Sequence, residues 1–381
     1  MRILILTATY TPSINGVAVT AALQKRELEK RGHSVKLIAP RHPKQKKEKG
    51  VIRLLSFSNP IYKDYPLMLP LPSLLIYLIL REEFDLVFFH HPFYLGDISL
   101  YLARRYKSPA VFFYHSHYSR YITTFSSAFP LNLVSDQVSK SVYNTITKSN
   151  HLIVETDSVK KILTLQGIFT PFSVIPSVRE SMFMQNQSKS KLRKKYGLSQ
   201  DKLIILCVAR LSREKNLDSL LKIIGKINLK IPFTLCLVGE GPEEQYLRNL
   251  ASFLKISESC QFLGAIEHNK IAEFYTLADI FAYPSKLDTQ ACVILEALSA
   301  GLPVVSFNVP GPKDFISHEK NGLLANSDLQ FNQQLKKLML NTKIRMQMGK
   351  EALLSSQKYS LKKSIDDLEN LFEKLVSKTS E

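Results

Sequence analysis

Cysteine is scarce in this chain of 381 residues. Its four cysteines, Cys207, Cys236, Cys260 and Cys292, all lie in the second half, far apart and with no CxxC pair. That spacing excludes a disulfide framework and a cysteine-rich zinc site, and it fits reduced thiols in a cytosolic protein. Long apolar runs are missing too. No stretch reaches the ~18 uninterrupted apolar residues of a membrane span. The nearest, Tyr65–Leu80 (YPLMLPLPSLLIYLIL), is broken by Pro66, Pro70 and Pro72. The opening MRILILTATYTP has no small-residue cleavage site and reads as a first strand, not a signal peptide. Several chemical signatures are also absent: the GxGxxG dinucleotide fingerprint, the P-loop, the GxSxG elbow of serine hydrolases, and any DxD triplet that would hold a Mg–nucleotide.

Acidic residues are scarce in one half only. Residues 1–200 carry 28 Lys and Arg against 12 Asp and Glu, whereas residues 201–381 carry 23 against 21. Nearly all of the +18 net charge therefore belongs to the first half. Such one-sidedness points to an anionic partner there, either nucleic acid or the anionic face of a membrane.

What is present is globular and α/β. Hydrophobic residues make up 45% and charged residues 22%, normal for a folded chain long enough for two domains. Short apolar runs (Ile3–Ala8, Val35–Ala39, Leu86–Phe89, Ala110–Tyr114, Leu152–Glu155, Ser173–Ile175) alternate with amphipathic stretches such as Gly16–Arg31. The pattern restarts at Leu203–Val208 and continues through Phe233–Val238, Gln261–Leu263 and Ile280–Tyr283, closing at Val304–Ser306. Strands alternating with helices imply parallel sheets, and two series imply two Rossmann-like domains. The polar, basic segment between Pro176 and about Gln200 is the expected join. We expect domains at 1–176 and 177–345 and a helical tail at 346–381, with helix from Asp328 onward.

Ligands of open α/β sheets bind at the carboxyl ends of strands, and the candidate residues fall there. Gly16, after TYTPSIN, would let backbone N–H groups approach a phosphate at a helix start. Gly239-Glu240-Gly241-Pro242 is the most glycine-rich turn. Arg210 and Lys215, in VARLSREKN, place two cations beside a helix start, which suits a diphosphate or, more simply, a solvated turn. Asp288 and Glu296 could accept hydrogen bonds from sugar or ribose hydroxyls; Asp288 or Thr289 could instead cap the following helix. His115 and His117 follow the strand Ala110–Tyr114, but no acidic or cysteine partner completes a metal pair.

In order along the chain, TYTPSINGV, FYHSHYSRY, VARLSREKN, LVGEGP, FLGAI, SKLDTQACVILEALSAGLPVV and GPKDFISHEKNGLL resemble the motifs of the retaining glycosyltransferases of family 4. The resemblance covers nearly the whole chain. It implies the GT-B fold, two Rossmann-like domains facing across a cleft, with a C-terminal helix packing back on the first. It implies that Arg210 and Lys215 bind the diphosphate of a UDP-hexose and that Glu296 holds ribose hydroxyls. Asp288 and His115 would contact the sugar, Gly16 the diphosphate, and the backbone of Ala291, Cys292 and Val293 the sugar or phosphate. Gly239, Gly264 and Ile266 would line the base pocket. Two departures stand out: Asp288 replaces the family's usual Glu, and Ala291 its usual Gly.

The segment Ser285-Lys286-Leu287-Asp288-Thr289-Gln290 is similar to the S-x-x-(E/D)-T-Q segment of enzymes that glycosylate diacylglycerol. The resemblance therefore implies glucose or galactose transfer to a lipid hydroxyl at the cytoplasmic membrane face. The partners would be UDP-hexose, diacylglycerol and an anionic surface, with no nucleic acid. No cofactor is implied, and Mg2+ stimulation has no sequence signal. Tyr65–Leu80 suits an interfacial position or a buried core segment. A polysaccharide or lipopolysaccharide acceptor and a UDP-sugar epimerase of the same fold remain alternatives.

Overall fold

Strands buried on both faces need near-continuous apolar sequence, and the chain supplies it twice, as LVFF, AVFFY and HLIV and then as LIILCV, FTLCLV and IFAY. The computed structural model describes residues 1–13, 15–57, 59, 66–80, 82–115, 131–178, 188–228, 230–267, 270–288 and 291–380. It divides into two compact units, Met1–Ser177 with Leu361–Glu381, and Val178–Ser360.

The first unit runs β1 (Arg2–Leu6), α1 (Gly16–Lys30), β2 (Ser34–Pro40), β3 (Val51–Leu54), β4 (Ser56–Phe57), β5 (Leu67–Met68), α2 (Ser73–Leu80), β6 (Leu86–Phe89), α3 (Phe93–Tyr106), β7 (Ala110–Tyr114), α4 (Leu131–Lys148), β8 (His151–Val154), α5 (Asp157–Leu165) and β9 (Phe172–Val174). Seven strands form one parallel sheet in the order β3-β2-β1-β6-β7-β8-β9, and β4 pairs antiparallel with β5 outside it. Strand order reverses at β1, which lies between β2 and β6; loops at such a switch point open a crevice. Asn15 caps α1 there, its Oδ1 accepting from the Ala18 amide at 3.0 Å.

The second unit runs α6 (Lys189–Lys195), β10 (Leu203–Val208), a 3-10 turn (Arg213–Lys215), α7 (Leu217–Gly225), β11 (Phe233–Val238), α8 (Glu244–Phe253), β12 (Cys260–Phe262), α9 (Ile271–Leu277), β13 (Ile280–Tyr283), α10 (Cys292–Ser299), β14 (Val304–Phe307), α11 (Pro312–Phe315), β15 (Gly322–Ala325), α12 (Asp328–Leu340) and α13 (Thr342–Ser356). Its sheet is parallel, in the order β12-β11-β10-β13-β14-β15, with the switch at β10.

Two differences from the sequence reading have physical causes. The second series does not close at Val304–Ser306: GLLA adds β15 at the edge, where pairing with β14 buries Leu323 completely. The second boundary falls at Ser360, not at 345, because α13 packs on α10 and leaves the second unit only after Ser356. As the resemblance implies, the last helix, α14 (Leu361–Ser380), packs on the first unit, with Ile365, Leu368 and Phe372 buried beneath it. Phe372 meets Phe88 edge-on at 5.1 Å, and Arg31 reaches Asp366 and Glu369.

Candidate functional site

In the second unit the ends of β10 and β13 are tied together. Asn216 Nδ2 donates to the Pro284 carbonyl at 3.0 Å, and Ser285 Oγ to the Glu214 carbonyl at 3.3 Å. This stitching brings Lys215 and Asp288, 73 residues apart in sequence, into an ion pair, Nζ to Oδ1 at 2.5 Å. Lys215 is thus not the solvated turn lysine that its sequence allows. The other oxygen of Asp288 accepts from the Tyr283 hydroxyl at 2.5 Å. Burial pushes the Asp288 carboxyl up, but the charge and hydrogen bond of Lys215, with hydrogen bonds from Ser285 and Tyr283, together hold the group below the ordinary carboxylate range. The same burial, with the carboxylate beside it, drives the Tyr283 phenol well above its ordinary value, so it stays a donor. Arg210 lies two residues beyond the end of β10 and is half-buried.

Capping by Asp288 is not what the structure shows. The N-cap of α10 is Ala291, with no side-chain cap, and Asp288 is engaged elsewhere. Ala291 sits in the left-handed region at φ 61 and ψ 66. An L-residue with a side chain is disfavoured there by roughly 1–2 kcal/mol, so this position keeps a glycine's conformation while carrying a methyl group. The amides of Cys292 and Val293 open the first turn of α10, where backbone donors lack intrahelical partners and the helix dipole favours an anion. One turn on, Glu296 is buried and accepts from the Tyr275 hydroxyl at 2.7 Å. Thr289 and Gln290 lie outside the described residues.

Gly239 ends β11 at φ +134, and a Cβ there would run into the Ala209 carbonyl at the end of β10. Its amide donates to the Gly264 carbonyl at 2.8 Å, joining two of the expected base-pocket positions; Ile266 follows two residues later, half-buried.

In the first unit Gly16 opens α1 with nothing within 4 Å of where a Cβ would stand, so local packing does not require glycine. His115 follows β7 and is buried in a chain of polar groups. Its Nδ1 lies 3.3 Å from Glu155 Oε1, which also accepts from Ser177 Oγ at 2.7 Å, and its Nε2 lies 2.7 Å from His90 Nδ1. Both ring nitrogens are therefore engaged, and a ligand contact at Nε2 would replace the His90 bond. Burial, then the neighbouring His115 and His91, hold His90 well below its ordinary pKa; burial and His115 push His91 down to about 3. His91 Nδ1 accepts from the Ala8 amide at 3.0 Å, joining the ends of β1 and β6. His117 lies outside the described residues. Among the described residues no group of three or more His, Cys, Asp or Glu could hold a metal ion.

Tyr283, His90 and Glu155 escaped the sequence reading. For His90 a signal existed, since FFHHP places two histidines at a strand end. For Glu155 and Tyr283 there was none, because each is a polar group at the end of an apolar run whose partner lies in a loop that the run does not reveal.

Residues 14–177 match the family described as Glycosyltransferase Family 4, and residues 188–354 match Glycosyl transferases group 1. The α-monoglucosyldiacylglycerol synthase of Acholeplasma laidlawii is 26% identical across all of this chain and 98% of its own length. A GDP-mannose-dependent α-mannosyltransferase of Corynebacterium glutamicum is 28% identical over 85% of this chain and 76% of its own. The solved structure of Anabaena Alr3699/HepE in complex with UDP-glucose superimposes with a TM-score of 0.78 at 16% identity, covering 98% of this chain and all of that one. Two parallel sheets with alternating helices and this superposition show the GT-B fold, and the two family models show a glycosyltransferase. Together the two models take in residues 14–177 and 188–354, and the chain is a glycosyltransferase of the families they describe.

Proposed function

We propose that the protein is a retaining hexosyltransferase that moves glucose or galactose from a UDP-sugar to a lipid hydroxyl, that of diacylglycerol, at a membrane surface. The observation that carries the donor half is the Lys215–Asp288 pair at the joined ends of β10 and β13. A cation beside a carboxylate at a switch point suits a diphosphate next to sugar hydroxyls. On this reading Arg210 and Lys215 stabilise charge on the departing diphosphate, Glu296 takes the ribose, and Asp288 reads the sugar. The C1–O bond to phosphate breaks, the C1–O bond to the acceptor forms on the same face, and the acceptor proton passes to a diphosphate oxygen. Positioning supplies the rest of the rate.

The acceptor half is supported by apolar surface on the first unit. Phe57 pairs with Leu67 across β4 and β5, and the Leu69 amide bonds to the Leu55 carbonyl at 2.8 Å. Alternation along a strand then places Leu55, Phe57, Leu67 and Leu69 on one face, and all four are exposed. Leu74, Leu75 and Leu78 of α2 are exposed as well. The lipid-named relative points the same way, while the mannosyltransferase keeps GDP-mannose as the second donor reading. The test incubates the protein with diacylglycerol and radiolabelled UDP-glucose, UDP-galactose or GDP-mannose, then extracts lipid. Label from a UDP-hexose should enter the organic phase. Label from GDP-mannose alone overturns the donor, and label that stays water-soluble with an added oligosaccharide overturns the acceptor.

A further inference from the structure

Asp288 is one methylene shorter than the glutamate usual at its position, and the structure shows what stands next to it. The Tyr283 hydroxyl lies 2.5 Å from Oδ2 while Lys215 holds Oδ1. Tyr283 itself has little freedom. Its side chain is buried at the end of β13, its ring stacks on Phe281 with centroids 6.1 Å apart, and its carbonyl accepts from Ser306 Oγ at 2.9 Å. The hydroxyl is thus a fixed point against which the carboxylate rests. Each carboxylate oxygen accepts about two hydrogen bonds, so with Lys215, Tyr283 and Ser285 as partners the carboxylate keeps one place for a ligand hydroxyl, in a direction those partners have set. A glutamate here would carry its carboxylate about 1.3 Å further, by one C–C bond at tetrahedral geometry. With the phenol oxygen already at hydrogen-bond distance, the longer side chain would have to displace it or turn away from it.

We propose that Tyr283 is a positioning residue that sets the reach of Asp288 toward the donor's sugar, the tyrosine hydroxyl occupying the space that the shorter acid leaves. The proposal rests on the reading of Asp288 as the sugar-facing carboxylate and adds a determinant of which hexose is accepted. A tyrosine serving only to fill the core would do so equally well without its oxygen. A tyrosine that aims Asp288 would not, and its loss would be coupled to the length of the acid.

The test is a double-mutant cycle on the full chain: wild type, Tyr283→Phe, Asp288→Glu and the double variant. Each is assayed for kcat/KM with UDP-glucose and UDP-galactose, for UDP affinity by calorimetry, and for melting temperature. Tyr283→Phe should lower kcat/KM for the preferred donor by about tenfold and shift the ratio between donors, with UDP affinity held within about twofold. Asp288→Glu should also lose rate. The double variant should regain about tenfold over Asp288→Glu alone, because the ring without its oxygen leaves room for the longer acid. An additive cycle, or an unchanged donor ratio in Tyr283→Phe, overturns the proposal. Calorimetry separates the two levels: if the wild type binds no UDP, or Lys215→Ala binds it as tightly, the nucleotide-sugar reading fails and this proposal falls with it. If UDP binding stands and the cycle is additive, only the role of Tyr283 falls.

Discussion

At the residue scale, Lys215 has one observed role, the pair with Asp288, and one proposed, and a single substitution separates them by readout. Its ammonium pairs with a largely buried carboxylate, so Lys215→Ala leaves Asp288 without that partner; an unsatisfied buried charge costs on the order of 1–3 kcal/mol or more. If Lys215 also meets a departing diphosphate, turnover should fall by about 10²-fold or more, beyond what any loss of folded protein explains. The sign of the pH dependence follows from Asp288. Its folded pKa lies below the unfolded value, so the pair stabilises the fold above the ordinary Asp range, near ~3.9, and stops doing so as pH falls through the lower folded value. The melting difference between wild type and Lys215→Ala should therefore be full at neutral pH and shrink in strong acid. A variant that melts as predicted but turns over normally would remove the diphosphate role and leave the structural one. Sequence alone shows the lysine and the aspartate, each at a strand end. It does not show that they meet, since that depends on Asn216 and Ser285 fastening one loop to the other.

At the element scale, the parallel strands were legible because burial on both faces leaves apolar runs with nothing to mimic them. β6, β7, β10, β11 and β13 fall where the runs predict. Short edge elements were not: β3, the β4–β5 hairpin and β15 are two to four residues long, too short to show a period, and owe their form to neighbours in space. The tail shows the same limit. Helix from Asp328 onward is correct in kind, and the resemblance already implied that the last helix packs on the first unit; where the second unit ends, at Ser360, only packing reveals. Burying side chains such as Phe372 contributes roughly 1.5–3 kcal/mol each, and a large-to-small change there costs about 3–5 kcal/mol. Phe372→Ala should accordingly lower the melting temperature by several degrees. Limited proteolysis should then cut first within residues 1–177, with residues 178–360 kept intact. Equal loss of both units would show that the tail's contribution is not confined to the first.

At the scale of the whole molecule, the first unit carries an exposed cationic loop beside its apolar surface, and that coincidence can be tested. The loop after β2 exposes Arg41, Lys44, Lys46, Lys47 and Lys49. It adjoins the hairpin directly: the Arg41 amide bonds to the Leu54 carbonyl at 2.8 Å, and Ser56 Oγ to the Arg41 carbonyl at 2.5 Å. Cations therefore stand beside the exposed Leu55 and Phe57. Against an anionic membrane each cation near the surface contributes about 1 kcal/mol, fading over a Debye length of ~10 Å at 0.1 M salt. Inserted leucines contribute about 1.5–3 kcal/mol each if fully buried, and salt barely weakens that. The two parts then have different signatures in co-sedimentation of the full chain with vesicles. Binding should rise with anionic lipid content, weaken as salt increases, and level off above zero. Phe57→Ser with Leu78→Ser should remove the salt-resistant remainder, by about tenfold or more, and leave the anionic-lipid dependence in place. Diacylglycerol is uncharged, so the charge dependence reports docking and not acceptor recognition. If the wild type does not bind, or the double variant binds at high salt as the wild type does, the apolar surface is not a membrane surface and a soluble carbohydrate becomes the better acceptor.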